Sequence, residues 1–182
     1  MDDLTWKTCS SHYIHKSPWA TLRVDQCEMP DKRIFKDYYV LEYPNWVCAM
    51  AITDDQKVLM VRQYRHAAGI VSLEIPGGVI DGDEAPETAI RRELLEETGY
   101  QFGQVEHLAT IYPNPSTSNN QVFCYLATGG KLVQAQSLDE TEHLIVEEYT
   151  IDEVRQLLLD NKIGQALHST ALFYAFIKLR KL

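Results

Sequence analysis

From Trp6 to about Tyr43 the chain alternates polar and apolar positions with the period of two that strands require. Thr21-Leu22-Arg23-Val24 carries the pattern, as does Ile34-Phe35 followed by Tyr38-Tyr39-Val40-Leu41. Met29-Pro30-Asp31-Lys32 reads as the turn between two of these strands. Val47 to Thr53 and Lys57 to Tyr64 are apolar strands joined at Asp54-Asp55-Gln56, a predicted hairpin, and Ser72 to Pro76 is a short strand that delivers the chain to Gly77-Gly78. The period then lengthens to that of a helix, which begins at Pro86 and stops at Gly99. Strands follow at Val105–Ile111, Val122–Ala127 and Leu144–Thr150. Ile151 to Asn161 reads as a helix capped near Thr150 or Asp152, and Gln165 to Leu179 as a closing amphipathic helix with Leu167, Ala171, Leu172 and Ala175 inward. These elements predict an α/β fold of the α+β type, with a mixed sheet sandwiched by helices over residues 45–182 and a small antiparallel sheet over residues 1–44. The N-terminal layer exposes a face or edge that needs cover, so it is expected to help form a homodimer.

Composition narrows the class. The chain has 182 residues, 45% of them apolar, which is enough for a sizeable core, and it shows no repeat or low-complexity tract. Its start, MDDLTWK, lacks the apolar stretch of a secretory signal, and no run approaches the roughly 18 apolar residues of a membrane span. Cys9, Cys27, Cys48 and Cys124 are widely separated, so free thiols in a reducing cytoplasm are expected. A net charge of −9 argues against a general nucleic-acid surface. It also means that an anionic substrate must meet an inverted local field, and bound divalent cations are the simplest way to make one.

The stretch from Gly78 to Tyr100, GVIDGDEAPETAIRRELLEETGY, changes the picture most. Pro86 suits a first helical turn, Gly99 a left-handed stop, and Glu84 and Glu87 the positive end of the dipole. At about 100° per residue from Ala85, Arg92 falls at about −20°, Glu96 at about 20°, Glu93 at about 80° and Glu97 at about 120°. Three carboxylates thus share one arc, and like charges four residues apart cost an isolated helix about 0.2–0.5 kcal/mol per pair. A solvated acidic face is the ordinary meaning of such a cluster. The added offsets of Gly78, Glu84, Arg92 and Gly99 point instead to a metal site, with Glu93, Glu96 and Glu97 as ligands and Glu84 and a carbonyl near Gly77 as further donors. An all-oxygen set selects Mg²⁺, or Mn²⁺, over zinc, and such ions can neutralise a diphosphate and acidify an attacking water. Arg92 fits an internal partner of the carboxylates better than a direct substrate contact.

These residues resemble the signature of the Nudix hydrolase family, GX5EX7REUXEEXGU with U aliphatic. Every fixed position is met, and Leu94 fills the first U; Tyr100 departs from the last U in a way that asks only for packing. The resemblance implies the family's α/β/α sandwich. It also implies that Arg65, in Arg62-Gln63-Tyr64-Arg65, lies on a substrate phosphate, with Glu74 of LEIPGG near the substrate. Pro115 stands 15 residues beyond Tyr100, as in ADP-ribose pyrophosphatases. The water-orienting base falls in the acidic loop Leu138–Val146, at Glu142 with Glu140 as runner-up. Trp46, Trp19 and Tyr112 are candidate platforms for a base, although each also fits ordinary core. The implied reaction is hydrolysis of a nucleoside diphosphate linked to another moiety, ADP-ribose to AMP and ribose 5-phosphate foremost. The alternatives are another nucleotide sugar, a dinucleotide polyphosphate, or a sensing domain that binds without cleaving. Isopentenyl diphosphate isomerase shares the broader fold but needs a reactive cysteine, and Cys48 and Cys124 sit in core-like strands. The histidines at 12, 15, 66, 107, 143 and 168 show no ligand spacing and receive no role.

Overall fold

Residues 46–52 are almost without a polar side chain, and the strand they form is covered on both faces, as a parallel-paired strand must be. In the computed structural model, which describes residues 3–18 and 20–182, this strand β4 (Trp46–Thr53) runs parallel to β9 (Val122–Leu132). Around it stand β5 (Lys57–Arg65), β8 (Tyr100–Ile111) and β10 (Leu144–Thr150), in the spatial order β10-β5-β4-β9-β8. Successive β4 side chains feed two cores. Val47, Ala49 and Ala51 face α1 (Pro86–Thr98), whereas Cys48, Met50 and Ile52 face α2 (Ile151–Leu159) and α3 (Ala166–Lys178).

The sheet parts in the middle. Next to the Asp54-Asp55-Gln56 hairpin, β4 and β5 pair at Ala51–Leu59 and Ile52–Val58; further along, β6 (Ile70–Glu74) pairs with β5 and β7 (Gly77–Val79) pairs with β4. Ile75-Pro76 links β6 to β7 across this opening, and the Pro76 carbonyl accepts the Ala49 N–H at 3.0 Å. β6 begins two residues before the predicted Ser72, because Ile70 and Val71 extend the ladder to Arg65 and Tyr64. β8 and β9 outrun their predicted ends for the same reason: Tyr100 pairs with Leu132 and Gln101 with Lys131.

The helix termini follow local chemistry. Pro86 occupies the first turn of α1, and Gly99 closes it at φ 76°, where an L side chain is strained. Of the two predicted caps for α2, Thr150 serves: it accepts the Glu153 N–H while the Glu153 side chain accepts from the Thr150 N–H, a reciprocal capping box. Along α3, Leu167, Ala171, Leu172 and Ala175 are buried as predicted, joined by His168 and Phe176.

Two compact units divide the chain: residues 45–111 with 121–182, and residues 1–44 with 112–120. In the smaller, β1 (Lys7–Lys16), β2 (Thr21–Glu28) and β3 (Ile34–Glu42) form an antiparallel sheet in the order β1-β2-β3. Tyr38 Oη donates to the Ser116 carbonyl at 2.9 Å and Leu41 N–H to the Thr117 carbonyl at 2.7 Å, which fastens the 112–120 segment to β3. Arg23 bridges Asp25 and Glu42. Every residue of β1 is exposed, and Trp6, Phe35 and Tyr38 form a ring cluster with centroids about 6 Å apart. Among the described residues, no helix is long and apolar enough to cross a membrane.

Candidate active site

Helix α1 turns its acids toward the β7 end of the opening. Glu93 and Glu97 are buried, at 7% and 3% exposure, while the Glu84 and Glu96 side chains keep 17% and 40%. Arg92 binds three of these carboxylates at once. Its Nη1 donates to Glu93 Oε1 at 2.9 Å and to Glu96 Oε2 at 3.0 Å; its Nη2 donates to Glu84 Oε2 at 3.0 Å and to the Val79 carbonyl at 2.9 Å. Glu97 takes a different partner, accepting the Gly77 N–H at 2.8 Å. Gly78 lies so close to Glu93 that a Cβ there would stand 2.4 Å from Oε1, which is why a side chain has no room.

Burial pushes the Glu93 carboxyl up to about 7 against the pull of Arg92, with the charges of Glu142 and Glu96 adding to the rise. Burial also pushes Glu97 up to about 8, opposed by the Gly77 N–H and reinforced by the charges of Glu93 and Glu142. Glu84 is exposed enough for its bonds to Arg92 to hold it below the usual carboxylate range. Three carboxylates therefore share the Arg92 guanidinium, while Glu97 rests on the Gly77 amide. Among the described residues, no three acidic, histidine or cysteine side chains stand grouped as a ready-made ion site, because Arg92 draws the oxygens of Glu84, Glu93 and Glu96 to itself. The donor set nonetheless fits a divalent cation: it is all oxygen and under-neutralised, and two of its members, Glu93 and Glu97, are shielded from water.

A second charged group stands on β5 and β6, close enough for the charges of Arg65 and Glu97 to act on each other. Arg65 donates to Glu74 with two prongs, Nε to Oε1 at 3.1 Å and Nη2 to Oε2 at 2.6 Å. Burial opposes ionisation of Glu74, which is 1% exposed, but the Arg65 bonds and neighbouring charge outweigh it and keep its pKa below the usual value. His168 lies beneath this pair. Its Nδ1 accepts the Ile75 N–H at 3.2 Å, and burial lowers its pKa to about 4, against the opposing charge of Glu74. Burial leaves the imidazole uncharged at neutral pH, so the Arg65 fork, helped by a Ser72 hydrogen bond, is the main support of the ionised Glu74.

The chain leading into the acidic loop docks on the C-terminal end of α1. Gln136 Nε2 donates to the Glu97 carbonyl at 2.6 Å, and the Ser137 N–H to the Glu96 carbonyl at 2.9 Å. Further along, Glu142 Oε2 accepts the Asp139 N–H at 3.3 Å within an exposed turn that also contains Glu140. Glu142 is close enough for its charge to raise both Glu93 and Glu97 and to favour the charged form of Arg65. Glu140 is not among the larger causes of these shifts.

Trp46 is half-buried and packs against the core facing α2 and α3, not the core facing α1. Pro115 sits in an exposed turn of the smaller unit, beside Tyr112, and Trp19 lies outside the described residues. At Gly77, what engages the acids is the N–H. Cys48 and Cys124 are buried, free and directly paired across β4 and β9, which makes them core thiols. A cavity of about 780 Å³ opens beside Tyr100, Leu132, Val133, Gln136, Val146 and Glu148 but is lined by none of the acids of α1. The chemistry follows the charges, not that hollow. Sequence reasoning missed His168, Gln136 and the two-pronged Arg62–Glu147 pair, whose partners lie 93, 39 and 85 residues apart.

The profile described as "NUDIX domain" matches residues 43–169, and that described as "Nucleoside diphosphate sugar hydrolase N-terminal domain" matches residues 6–41. A "Methanol dehydrogenase activator" from Bacillus methanolicus is 34% identical over 158 residues, 86% of this chain and 85% of its own length. An "ADP-ribose pyrophosphatase" from Bacillus subtilis (strain 168) is 30% identical over 179 residues, 98% of this chain and 96% of its own. The crystal structure of an "ADP compounds hydrolase" has the same fold, with a TM-score of 0.85 at 20% identity and full coverage of both chains.

Proposed function

The chain belongs to the Nudix hydrolase family, and from that premise we propose that it uses Mg²⁺ to hydrolyse the diphosphate bond of a nucleoside diphosphate joined to another moiety, with ADP-ribose to AMP and ribose 5-phosphate the leading case. Members of the family act with a divalent metal. Mg²⁺, with Mn²⁺ as substitute, is the choice that the hard oxygen set supports. The observation that carries the reading is the pair of buried, under-neutralised carboxylates Glu93 and Glu97, held between Arg92 and the Gly77 amide.

In this proposal Glu93, Glu96 and Glu97 hold the metal, with Glu84 and the Gly77 carbonyl as further donors. A divalent ion bound there would neutralise the diphosphate and make a nearby water more acidic. Arg92 keeps the carboxylates in register until they are needed. Arg65 reads a substrate phosphate through Nη1, which has no hydrogen-bond partner among the described residues, while Glu74 holds the rest of the fork. Glu142 takes the proton of the attacking water; the reach of its charge to Glu93 and Glu97 favours it over Glu140. Trp46 offers the nucleobase a platform. The four free thiols suit a cytoplasmic enzyme, and the exposed N-terminal sheet suits a homodimer.

The decisive assay is Mg²⁺-dependent release of AMP by Glu97→Gln. Turnover should fall by about 10²–10³-fold or more, the scale of losing a group that stabilises developing charge. Unchanged turnover would refute the metal assignment. The relative named as an activator is described by what it activates and not by a substrate, so substrate choice needs a panel of ADP-ribose, GDP-mannose and dinucleotide polyphosphates with Mg²⁺. Tight ADP-ribose binding without product after long incubation would identify a sensor instead.

A further inference from the structure

We propose that His168 is a positioning residue for substrate binding: it steadies Glu74, and Glu74 steadies the Arg65 guanidinium. The inference rests on the phosphate-reading role proposed for Arg65. It explains why a helix on the face opposite α1 places a polar side chain, 5% exposed, in an otherwise apolar stripe. His168 stands where the sheet parts, against the Ile75-Pro76 link. Because Nδ1 accepts the Ile75 N–H, the neutral ring carries its proton on Nε2, and Nε2 is 3.6 Å from Glu74 Oε2. That separation is too long for a formed hydrogen bond but leaves the N–H beside a carboxylate oxygen.

Glu74 is a buried anion bounded on one side by the Arg65 fork and on the other by the imidazole, with Ser72 as a further hydrogen-bond partner. A carboxylate so confined fixes the plane of the guanidinium, because two prongs allow one orientation. Take away the imidazole and Oε2 gains room to turn, and Arg65 turns with it. Satisfying the Ile75 amide would be reason enough for a histidine, but an asparagine can do that as well. The two roles therefore separate by substitution.

His168→Asn keeps an acceptor for the Ile75 N–H and loses the N–H beside Glu74; His168→Gln carries an amide N–H out to about the reach of Nε2. With ADP-ribose and Mg²⁺, His168→Asn should raise KM about tenfold, equivalent to about 1.4 kcal/mol, and leave kcat within about twofold. His168→Gln should recover KM to within about threefold of the unsubstituted enzyme. On an Arg65→Ala background, His168→Asn should add nothing further to KM. Calorimetric titration with a non-hydrolysable ADP-ribose analogue provides the same comparison without turnover, and circular-dichroism melts establish that each variant is folded. An unchanged KM in His168→Asn overturns the inference. So does a His168→Gln variant as impaired as His168→Asn, or an effect that persists in full without Arg65. If Arg65→Ala itself leaves KM unchanged, the phosphate assignment fails and takes the inference with it. If Arg65→Ala raises KM and His168→Asn does not, the inference alone fails.

Discussion

Two side chains show how little room the site leaves. The first is the one that Gly78 lacks. Gly78→Ala would drive its methyl into the Glu93 carboxylate, and the flexible acid yields before the backbone does. Divalent cation binding should therefore weaken by about 10–100-fold, as when a supporting neighbour of a ligand is lost, while the protein stays folded. Isothermal titration with Mn²⁺ and a thermal melt on the same sample would show both; undiminished affinity would mean that Glu93 is not a ligand. The second is the His168 imidazole. Its pKa falls from the ordinary 6.5 of the unfolded chain to about 4 in the fold. Between those values the unfolded chain binds a proton that the fold refuses, so stability is complete above about pH 6.5 and declines as pH falls toward 4. Glu93 and Glu97, raised by burial, push stability the other way over the same range in any variant, so the His168 contribution is read as a difference. Between pH 7 and pH 5, urea titrations should show the unsubstituted protein losing on the order of 1–3 kcal/mol relative to His168→Gln. The acids of α1 were legible in the sequence because a single helix fixes their angles. His168 was not, because its meaning depends on Ile75 and Glu74, which only the closed sheet brings to it.

At the scale of elements, local signals were dependable and ladder ends were not. Pro86, Gly99 and Thr150 mark helix termini through chemistry confined to a few neighbours, and each stands at or next to the end it predicts. Strand ends depend on a partner. Tyr100 enters β8 directly after the Gly99 stop because Leu132 lies opposite, a relation that no window along the sequence contains. The α2 cap can be weighed by itself: Thr150→Ala removes the hydroxyl that accepts the Glu153 N–H, keeps the Thr150 N–H bond to the Glu153 side chain, and should cost about 1 kcal/mol in chemical denaturation. Because the acids lie on α1, AMP release should be unaffected. A large loss of activity with this variant would mean that α2 bears on the site in a way its packing does not suggest.

The molecule as a whole is acidic, with a net charge of −9, yet it is proposed to take a polyanionic substrate. Chelation by excess EDTA should therefore suppress substrate binding as well as turnover, and equilibrium dialysis with and without Mg²⁺ would separate the two effects. The small unit carries the other whole-molecule prediction. Tyr39 is 54% exposed, Ile34 47% and Phe35 45%, on a three-stranded sheet whose β1 is exposed throughout. Sedimentation equilibrium should find a concentration-dependent dimer, and Phe35→Asp should shift it toward monomer. A monomer at every concentration would leave the sheet's apolar surface without an explanation.

Where the strands part, two amides two residues apart are claimed by side chains from opposite layers: the Ile75 N–H by His168 of α3, and the Gly77 N–H by Glu97 of α1. Neither proton is protected by a strand ladder, so each becomes a private gauge of one helix. In a deuterium-exchange experiment His168→Asn should leave the Gly77 proton as slow as before, whereas Mg²⁺, by drawing Glu97 away, should quicken Gly77 and spare Ile75. This short link, easily passed over as a connector, is the place from which both helices can be heard separately.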